Sequence, residues 1–476
     1  MSAAHHESVS RRVAVIGGGI TGLAAAHRLR ELDPAVEVDL FEASDSLGGV
    51  LQTHREQGYL LELSADNFIT NVPWALDLCR RIGYDHQLVE TRSENRRALV
   101  VHRGRLVPVP EGFLLMAPNK LWPIVTTPIL SWRGKLRLLA ELIVPRCREA
   151  GDESLASFVR RRLGRETFER LVQPLVGGIY TADSEQLSLA ATLPRFQEME
   201  RRHGSLIRAT WKDRLANKSG GSGARYTLFM APREGMSDLI DALVAKIPSH
   251  SLHLNSPIAR LERTPEGRWL VHLVTPNPEL STANSYSAII LAAPAPAASR
   301  ILADAAPSLA ADLARIPYAG TAIALVGYRR DQITHPLDGF GFVVPEVEQR
   351  TILAASFSSQ KFDGRAPAGH VLLRVFLGGA ARPALVHLEE DKLRQIVIRE
   401  LGELLGASGE PELFQIARWG GAMPQYHLGH LDLVAKIEAQ AAAFPGLALA
   451  GNAYHGVGVP NCIHSGELAA ERVVKT

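Results

Sequence analysis

The sequence predicts an α/β fold with a parallel sheet at its centre, joined to a mixed α+β region and a helical insert. Three observations predict it. The chain opens with a short apolar strand, a glycine-rich loop, a helix and a second strand. It closes with another strand, a second glycine-rich turn and a last helix. Between them lie a block with helical periodicity and then runs that alternate like antiparallel strands.

Arg12 to Ile16 (RVAVI) has the composition of a strand buried on both faces. Gly17 to Gly22 is the loop, and Leu23 to Leu32 reads as a helix ended by Asp33-Pro34. Val36 to Phe41 completes a β-α-β unit. From Pro73 to Leu206 the pattern is mostly helical. Ser154 to Val172 carries apolar residues at helical spacing, with Asp152 or Ser154 as N-cap. Lys218 to Arg225 (KSGGSGAR) reads as a flexible surface loop. Gly235 to Ile247 is a further helix, followed by short strands near Ile258–Leu261, Trp269–Val274 and Ala288–Ala292. Thr321 to Val344 and Thr351 to Leu377 alternate, with turns at Asp338-Gly339 and Gly364. Leu388 to Leu405 is a helix, Leu447 to Ala450 a strand, and Cys462 to Val474 the last helix. The last strand-turn-helix resembles the first. The expected division is therefore a cofactor unit assembled from residues 11–90, 225–300 and 431–476. A helical insert facing substrate or membrane takes 91–215, and a substrate-binding sheet and helix take 301–430.

Composition excludes several classes. With 476 residues and 46 % hydrophobic content the chain can build two or three ordinary cores. A net charge of +2 offers no field for nucleic acid. Cys79, Cys147 and Cys462 are odd in number and widely spaced, which suggests neither a zinc site nor a disulfide framework. No metal is expected. The opening MSAAHHESVS lacks a signal peptide's apolar core, and no run of about 18 apolar residues exists, so a cytoplasmic protein is expected. The most apolar stretch, Gly112 to Leu130, is interrupted by Lys120 and three prolines. Core, apolar cavity and contact with a membrane surface all suit it.

The chemistry begins at Gly17-Gly18-Gly19-Ile20-Thr21-Gly22, a GxGxxG loop between strand and helix. Gly17 allows the tight turn, Gly19 lets a pyrophosphate approach the backbone, and Gly22 packs helix on strand. The helix N-terminus presents free N–H groups to phosphate. Glu42 ends the second strand twenty residues after Gly22, where a carboxylate accepts hydrogen bonds from ribose hydroxyls. This loop alone does not separate FAD from NAD.

The following residues do. Glu42-Ala43 with Gly48-Gly49 resembles the E-A-x(4)-G-G extension of the FAD-dependent amine oxidase superfamily. Leu449 to Ile463 (LAGNAYHGVGVPNCI) resembles its C-terminal flavin segment, where a helix starting near Pro460 or Asn461 would turn its positive end to the flavin. Leu171 to Asp183 (LVQPLVGGIYTAD), followed by Leu187-Ser188, resembles the P-L-x-x-G-I-Y-A-x-D…LS segment of oxygen-dependent porphyrinogen oxidases. Ser64-Ala65-Asp66-Asn67 and Gly339-Phe340-Gly341-Phe342 extend the likeness. Ser64 stands where a glycine is usual, and Thr181-Ala182 replaces the commoner Ala-Gly.

The resemblance implies a Rossmann-like FAD/NAD(P)-binding fold of the amine oxidase type with FAD bound non-covalently. Its contacts would be Gly17, Gly18, Gly19, Ile20, Thr21, Gly22, Glu42, Ala43, Gly49, Ser64, Ala65, Asp66, Asn67, Val457, Gly458 and Val459. Ile258 would meet the adenine through its backbone, and Trp419 would lie near the flavin. The substrate cavity would include Arg96, Gly178, Val343, Ser356 and Phe376, with Arg96 or Arg97 meeting a propionate. The implied reaction, in heme biosynthesis, removes six electrons and six protons from a porphyrinogen in three flavin cycles and passes the electrons to O₂ as H₂O₂. No acid or base residue is assigned, because the cofactor carries the hard chemistry. Coproporphyrinogen III is slightly favoured by the lack of a membrane span, whereas Asn95-Arg96 resembles the protoporphyrinogen IX type. A transient contact with the next heme-pathway enzyme and a peripheral contact with the inner face of the membrane are further expectations. The competing readings are another flavin oxidase or desaturase of the superfamily, and a non-catalytic flavin or porphyrin carrier. His455 and His464 are expected to be structural.

Overall fold

Strand Arg12–Ile16 can be buried on both faces, and that makes it the centre of the first sheet. Val13 and Val15 enter one core, Ala14 and Ile16 the other. The strand pairs in parallel with Glu37–Phe41, Val15 lying opposite Leu40, and with Ala288–Leu291, Val15 lying opposite Ile290. Leu252–His253 and Leu447–Leu449 add the outer strands, also in parallel. These five strands thus come from the first part, the middle and the last part of the chain. The computed structural model describes residues 11–94, 96–147, 151–216, 229–274 and 284–475. The expected flexible loop at 218–225 and Asn95 lie outside the described residues.

Helices Ile20–Leu32 and Val459–Lys475 cover one face of this sheet. They approach closely because Gly466 has no side chain: a Cβ there would fall 2.2 Å from the Thr21 carbonyl oxygen. The other face is covered by the antiparallel strands Ile258–Arg263, Trp269–Leu273 and Asn284–Tyr286 and by helices Ala295–Leu302 and Pro307–Ala314.

A second sheet has seven strands, in the order Leu413–Pro424, Tyr318–Arg329, His370–Gly378, Ala354–Phe357, Gly341–Val343, Leu99–His102 and Arg105–Pro108. All pairings are antiparallel except that of Gly341–Val343 with Leu99–His102. One face closes on helix Glu390–Leu405 through Leu393, Val397 and Leu401. On the other face Ile323, Leu325 and Leu372 pack against Tyr59, Leu61 and Leu63.

The helical block has its own core around Phe158, Leu171 and Phe196. Fully buried Arg162 is held there by Glu141 and Glu200, and Arg161 by Glu153 and Glu200. A buried charge persists only when partnered in this way. Most of the apolar stretch from Gly112 to Leu130 is core: Phe113, Leu115, Met116, Ile124, Ile129 and Leu130 are buried. The large apolar exceptions are Trp122, 74 % exposed, and Val125.

Several boundaries differ from expectation. The first helix begins at Ile20 rather than Leu23, because the loop's last residues already adopt helical geometry. Ser154 to Val172 is not one helix. Ser154 caps Leu155–Leu163 by accepting from Ser157 N at 3.2 Å, then Gly164 at φ +90° breaks the chain before it resumes at Arg165. The last helix begins at Val459, not Pro460 or Asn461. Edge strand Leu413–Pro424 was not expected from its glycines and proline, which an edge position tolerates.

Candidate active site

The glycine loop has the geometry of a dinucleotide cradle. Gly17 sits at φ +111°, and a Cβ there would lie 2.7 Å from the Ala292 carbonyl oxygen. At Gly22 a Cβ would fall 1.9 Å from the Gly17 carbonyl oxygen. Gly19 is different: nothing lies within 4 Å of its Cβ position. The 13-residue helix it opens has no side-chain cap, so its first-turn amides face that open space. This combination fits a pyrophosphate.

Glu42 is fixed beside the loop. Its Oε2 accepts from Gly18 N at 2.7 Å, and its Oε1 accepts from Ser44 N at 2.9 Å and Ser44 Oγ at 2.8 Å. The remaining lone pairs suit hydroxyl donors. Ala43 is exposed next to it. Gly48 N donates to Gly18 O at 2.8 Å, and a Cβ on Gly49 would lie 3.3 Å from Gly19 Cα, so the double glycine runs over the loop. Ser256 N donates to Glu42 O at 2.8 Å, which brings the start of strand Ile258–Arg263 to the same end of the cradle.

Val457 to Val459 leads into the 17-residue last helix, and Cys462 N donates to Gly458 O at 3.0 Å. Buried Tyr426 ties this turn down: its hydroxyl donates to Asn452 O and accepts from Gly456 N at 2.8 Å. His430 stacks on Tyr426 with ring centres 4.0 Å apart, and burial pushes its pKa down to about 4. Cys462 is buried, and burial pushes its thiol up to about 11, so it stays protonated. His455 bonds Glu438 and His464 stacks on Trp74. Each contact is structural.

Ser64 to Asn67 joins the two sheets. Ser64 Oγ donates to Val50 O, the bond its replacement of glycine makes available. Ser64 O accepts from Arg374, and Ala65 packs at the edge of the first core. Asp66 meets Lys361 Nζ at 2.9 Å and an Arg374 nitrogen at 3.2 Å, while Asn67 donates to it. Burial opposes the charge on Asp66, but Lys361 and Arg374 prevail and hold its pKa well below the carboxylate range. Its carboxylate is committed to this network. Arg374 and Lys361 escape a motif search. The signal was a lone arginine inside the apolar run HVLLRVFLG, since a buried charge demands a partner.

Sheet register gathers the residues expected at the substrate. Val343 is opposite Ala354 and Ala354 opposite Phe376. Ser356 lies two residues beyond Ala354, and Trp419 is opposite Thr321, which neighbours Gly378. Period-two alternation puts Val343, Ser356, Phe376 and Trp419 on one face. Val343 and Ser356 are the incompletely buried residues of their strands, and Phe376 that of its strand beyond His370. Gly178, from the helical block, faces them: a Cβ there would lie 3.6 Å from Val343 Cγ1. Trp419 Nε1 donates to Leu63 O at 2.7 Å. Val457 packs at the fringe of the same helical core as Val343, so the last turn borders this face.

The two arginines separate clearly. Arg97 pairs with the Asp338 carboxylate and donates to its carbonyl. Among the described residues Arg96 bonds backbone carbonyls, Arg92 O at 3.2 Å and Thr91 O at 2.9 Å, with Glu90 4.0 Å away. It is half-buried and is the better placed of the two to receive another carboxylate.

A glycine loop left open at Gly19, a carboxylate fixed beside it and a glycine-rich turn that leads into the last helix stand together at one end of the parallel sheet. The chain belongs to the flavin-containing amine oxidoreductase family, whose model matches residues 20–474. Among curated proteins it is 35 % identical over 490 residues to a coproporphyrinogen III oxidase of Propionibacterium freudenreichii, covering 97 % of this chain and 90 % of that one. It is 32 % identical over 469 residues to the coproporphyrinogen III oxidase of Bacillus subtilis, covering 96 % and 97 %. It is 28 % identical to the mitochondrial protoporphyrinogen oxidase of Nicotiana tabacum, covering 98 % and 95 %. A crystal structure from Exiguobacterium sp. 255-15, provisionally designated a protoporphyrinogen oxidase, superposes with a TM-score of 0.85 at 29 % identity, covering 98 % and 99 %. Putrescine oxidase, at 15 % identity and a TM-score of 0.67 over 98 % of this chain and 99 % of that one, shares the fold.

Proposed function

We propose that this protein holds FAD non-covalently and oxidises a porphyrinogen to the porphyrin in heme biosynthesis, with coproporphyrinogen III ahead of protoporphyrinogen IX. The observation that carries the reading is the row of half-open residues Val343, Ser356 and Phe376, bordered by Gly178, Trp419 and Val457. A sheet face with one open residue per strand makes a broad, mostly apolar floor, which suits a flat macrocycle. Bound FAD supplies the two-electron oxidation. Three rounds remove six electrons and six protons, and three O₂ become three H₂O₂. The protein's part is to bind, orient and exclude water. The open glycine cradle and the buried, protonated Cys462 support non-covalent binding. Relatives named for coproporphyrinogen match at 30 to 35 %, and relatives named for protoporphyrinogen at 28 to 30 %.

The reading places the enzyme in the cytoplasm, in transient contact with the enzyme that takes the porphyrin onward. A peripheral membrane contact is supported by Trp122, Trp132, Leu136 and Ile143 of the helical block, all exposed. Among the described residues no helix is long and apolar enough to cross a membrane.

The test offers each porphyrinogen to the purified protein with and without air, following porphyrin fluorescence and peroxide. Fluorescence in air with about three peroxides per porphyrin is the expected outcome. Dependence on an added quinone without peroxide would rule out oxygen as acceptor. A yellow protein inert toward both substrates would be a carrier or a different oxidase. Flavin that stays in the pellet after acid precipitation would refute non-covalent binding.

A further inference from the structure

The helical block is rich in arginine, and its arginines are mostly neutralised. Arg160, Arg161, Arg162, Arg165, Arg201 and Arg202 each pair with a glutamate. Arg195 does not. Among the described residues no carboxylate pairs with it, and its guanidinium lies over the ring of Phe196, 4.6 Å from the centre. It occupies the first turn of helix Pro194–His203, which has no acidic residue in that turn and no side-chain cap. A cation there is at the unfavourable end of the helix, and an anion beside it would offset the cost.

The surroundings of Arg195 connect it to the helix whose Gly178 faces Val343. Tyr180, which ends the helix carrying Gly178, lies beside Arg195. The Tyr180 hydroxyl donates to Thr192 O at 3.2 Å, holding the start of the Arg195 helix against that wall. Tyr180 and Leu193 are half-buried at the fringe of the same core as Val343 and Val457. The Arg195 side chain is open to solvent, yet burial by the protein around it holds its pKa below the ordinary arginine value. The two facts agree if the guanidinium stands in a recess that solvent reaches. Such a cation is available to a ligand.

We propose that Arg195 is a second carboxylate anchor for the substrate, on a different wall from Arg96, and that it discriminates by counting propionates. The inference rests on the porphyrinogen reading above. Coproporphyrinogen carries four propionates. In protoporphyrinogen two of them are replaced by vinyl groups, which a guanidinium does not hold. An anchor for one of the two extra carboxylates therefore favours the tetracarboxylate without touching the reacting carbons. Arg195 is thus a specificity residue and not a catalytic one.

Kinetics on FAD-loaded wild type, Arg195→Ala and Arg195→Lys with both porphyrinogens test this. Dissociation constants for the two product porphyrins, read by fluorescence quenching, provide a second measure. Arg195→Ala should lower kcat/KM for coproporphyrinogen about ten- to hundredfold, chiefly through KM, as expected for losing a charge-assisted contact. Protoporphyrinogen should change less than about twofold, with flavin content and Tm at wild-type values. Coproporphyrin III binding should weaken in parallel, and Arg195→Lys should recover part of the loss. Equal losses on both substrates would make the residue structural and overturn the proposal, as would no loss on either. A wild type that turns over both substrates while Arg195→Ala keeps its preference sinks the anchor alone. A wild type that oxidises neither porphyrinogen overturns the porphyrinogen reading, and the anchor with it.

Discussion

The proposed cofactor end and the proposed substrate face are built from different materials. Around Gly17 to Gly22 the working surface is backbone: bare Cα atoms, helix-end amides and one fixed carboxylate. On the seven-stranded sheet it is side chains, with one open residue on each of the strands Gly341–Val343 and Ala354–Phe357, aligned by register. A backbone surface tolerates no added atom where it is closed and one kind of ligand where it is open. A side-chain surface can be retuned residue by residue. Damage to the first should therefore be all-or-none, and damage to the second graded.

The largest effect expected is at Gly22. Its Cβ would collide with backbone that has nowhere to move, so Gly22→Ala should yield protein without flavin and with a lowered Tm. Gly19→Ala breaks the comparison open from the other side. Its Cβ meets nothing within 4 Å, so the apoprotein should keep its Tm while flavin retention falls. Equal Tm losses in the two variants would mean that the space at Gly19 is not a ligand's.

Acid should separate the two regions. His430 is kept neutral, its pKa about 4 against an ordinary 6.5. The unfolded chain takes the proton first, so stability falls as pH drops from about 6.5 to about 4, by on the order of 3 kcal/mol. Because His430 backs the tyrosine that ties down the Gly456 turn, flavin release should follow this window, and His430→Gln should flatten it. Asp66 has the opposite sign. Its pKa is lowered, so its contribution is full above the unfolded value near 3.8 and declines only below it. Flavin fluorescence and tryptophan fluorescence, followed together against pH, should therefore give two transitions, the flavin first.

Glu42→Gln should weaken flavin binding about ten- to hundredfold, the worth of a charge-assisted hydrogen bond of roughly 1.5–3 kcal/mol. Unchanged retention on dilution would remove Glu42 from the ribose. Arg96→Ala should raise KM and lower kcat by about tenfold at most, with flavin content intact. Arg97→Ala is the smallest change. It loses an exposed pair with Asp338, worth about 0–1 kcal/mol, and should leave the kinetics within about twofold. If Arg97 proves the sensitive one, the carboxylate anchor is off by one residue.

Much of the cofactor end was legible because its constraints are local. A glycine that must admit a phosphate or a helix announces itself at fixed spacing, and so does an acid twenty residues later. The substrate face was reached through resemblance instead. Nothing in the order Gly178, Val343, Ser356, Phe376 says that these residues share a face; register does, and register is a property of strands brought together. Strand Leu413–Pro424 was hidden by Gly420, Gly421 and Pro424, and the break in Ser154–Val172 by a glycine that reads as a minor helix penalty. Arg195 was invisible because the proposal turns on its lacking a carboxylate partner among the described residues, which only the folded chain displays.

The order of the parallel sheet carries a consequence for how the protein comes into being. The strand that faces the Gly17 turn is flanked by one from residues 288–291, and that one by a strand from 447–449. Gly466 then seats the last helix on Thr21. While the nascent chain is still on the ribosome, the phosphate loop has been made but its neighbours have not. Such distant pairings form late and slowly. The cradle is therefore incomplete until residues 447–466 have been made. Until those residues dock, the growing chain carries apolar strands that have no neighbours to pair with.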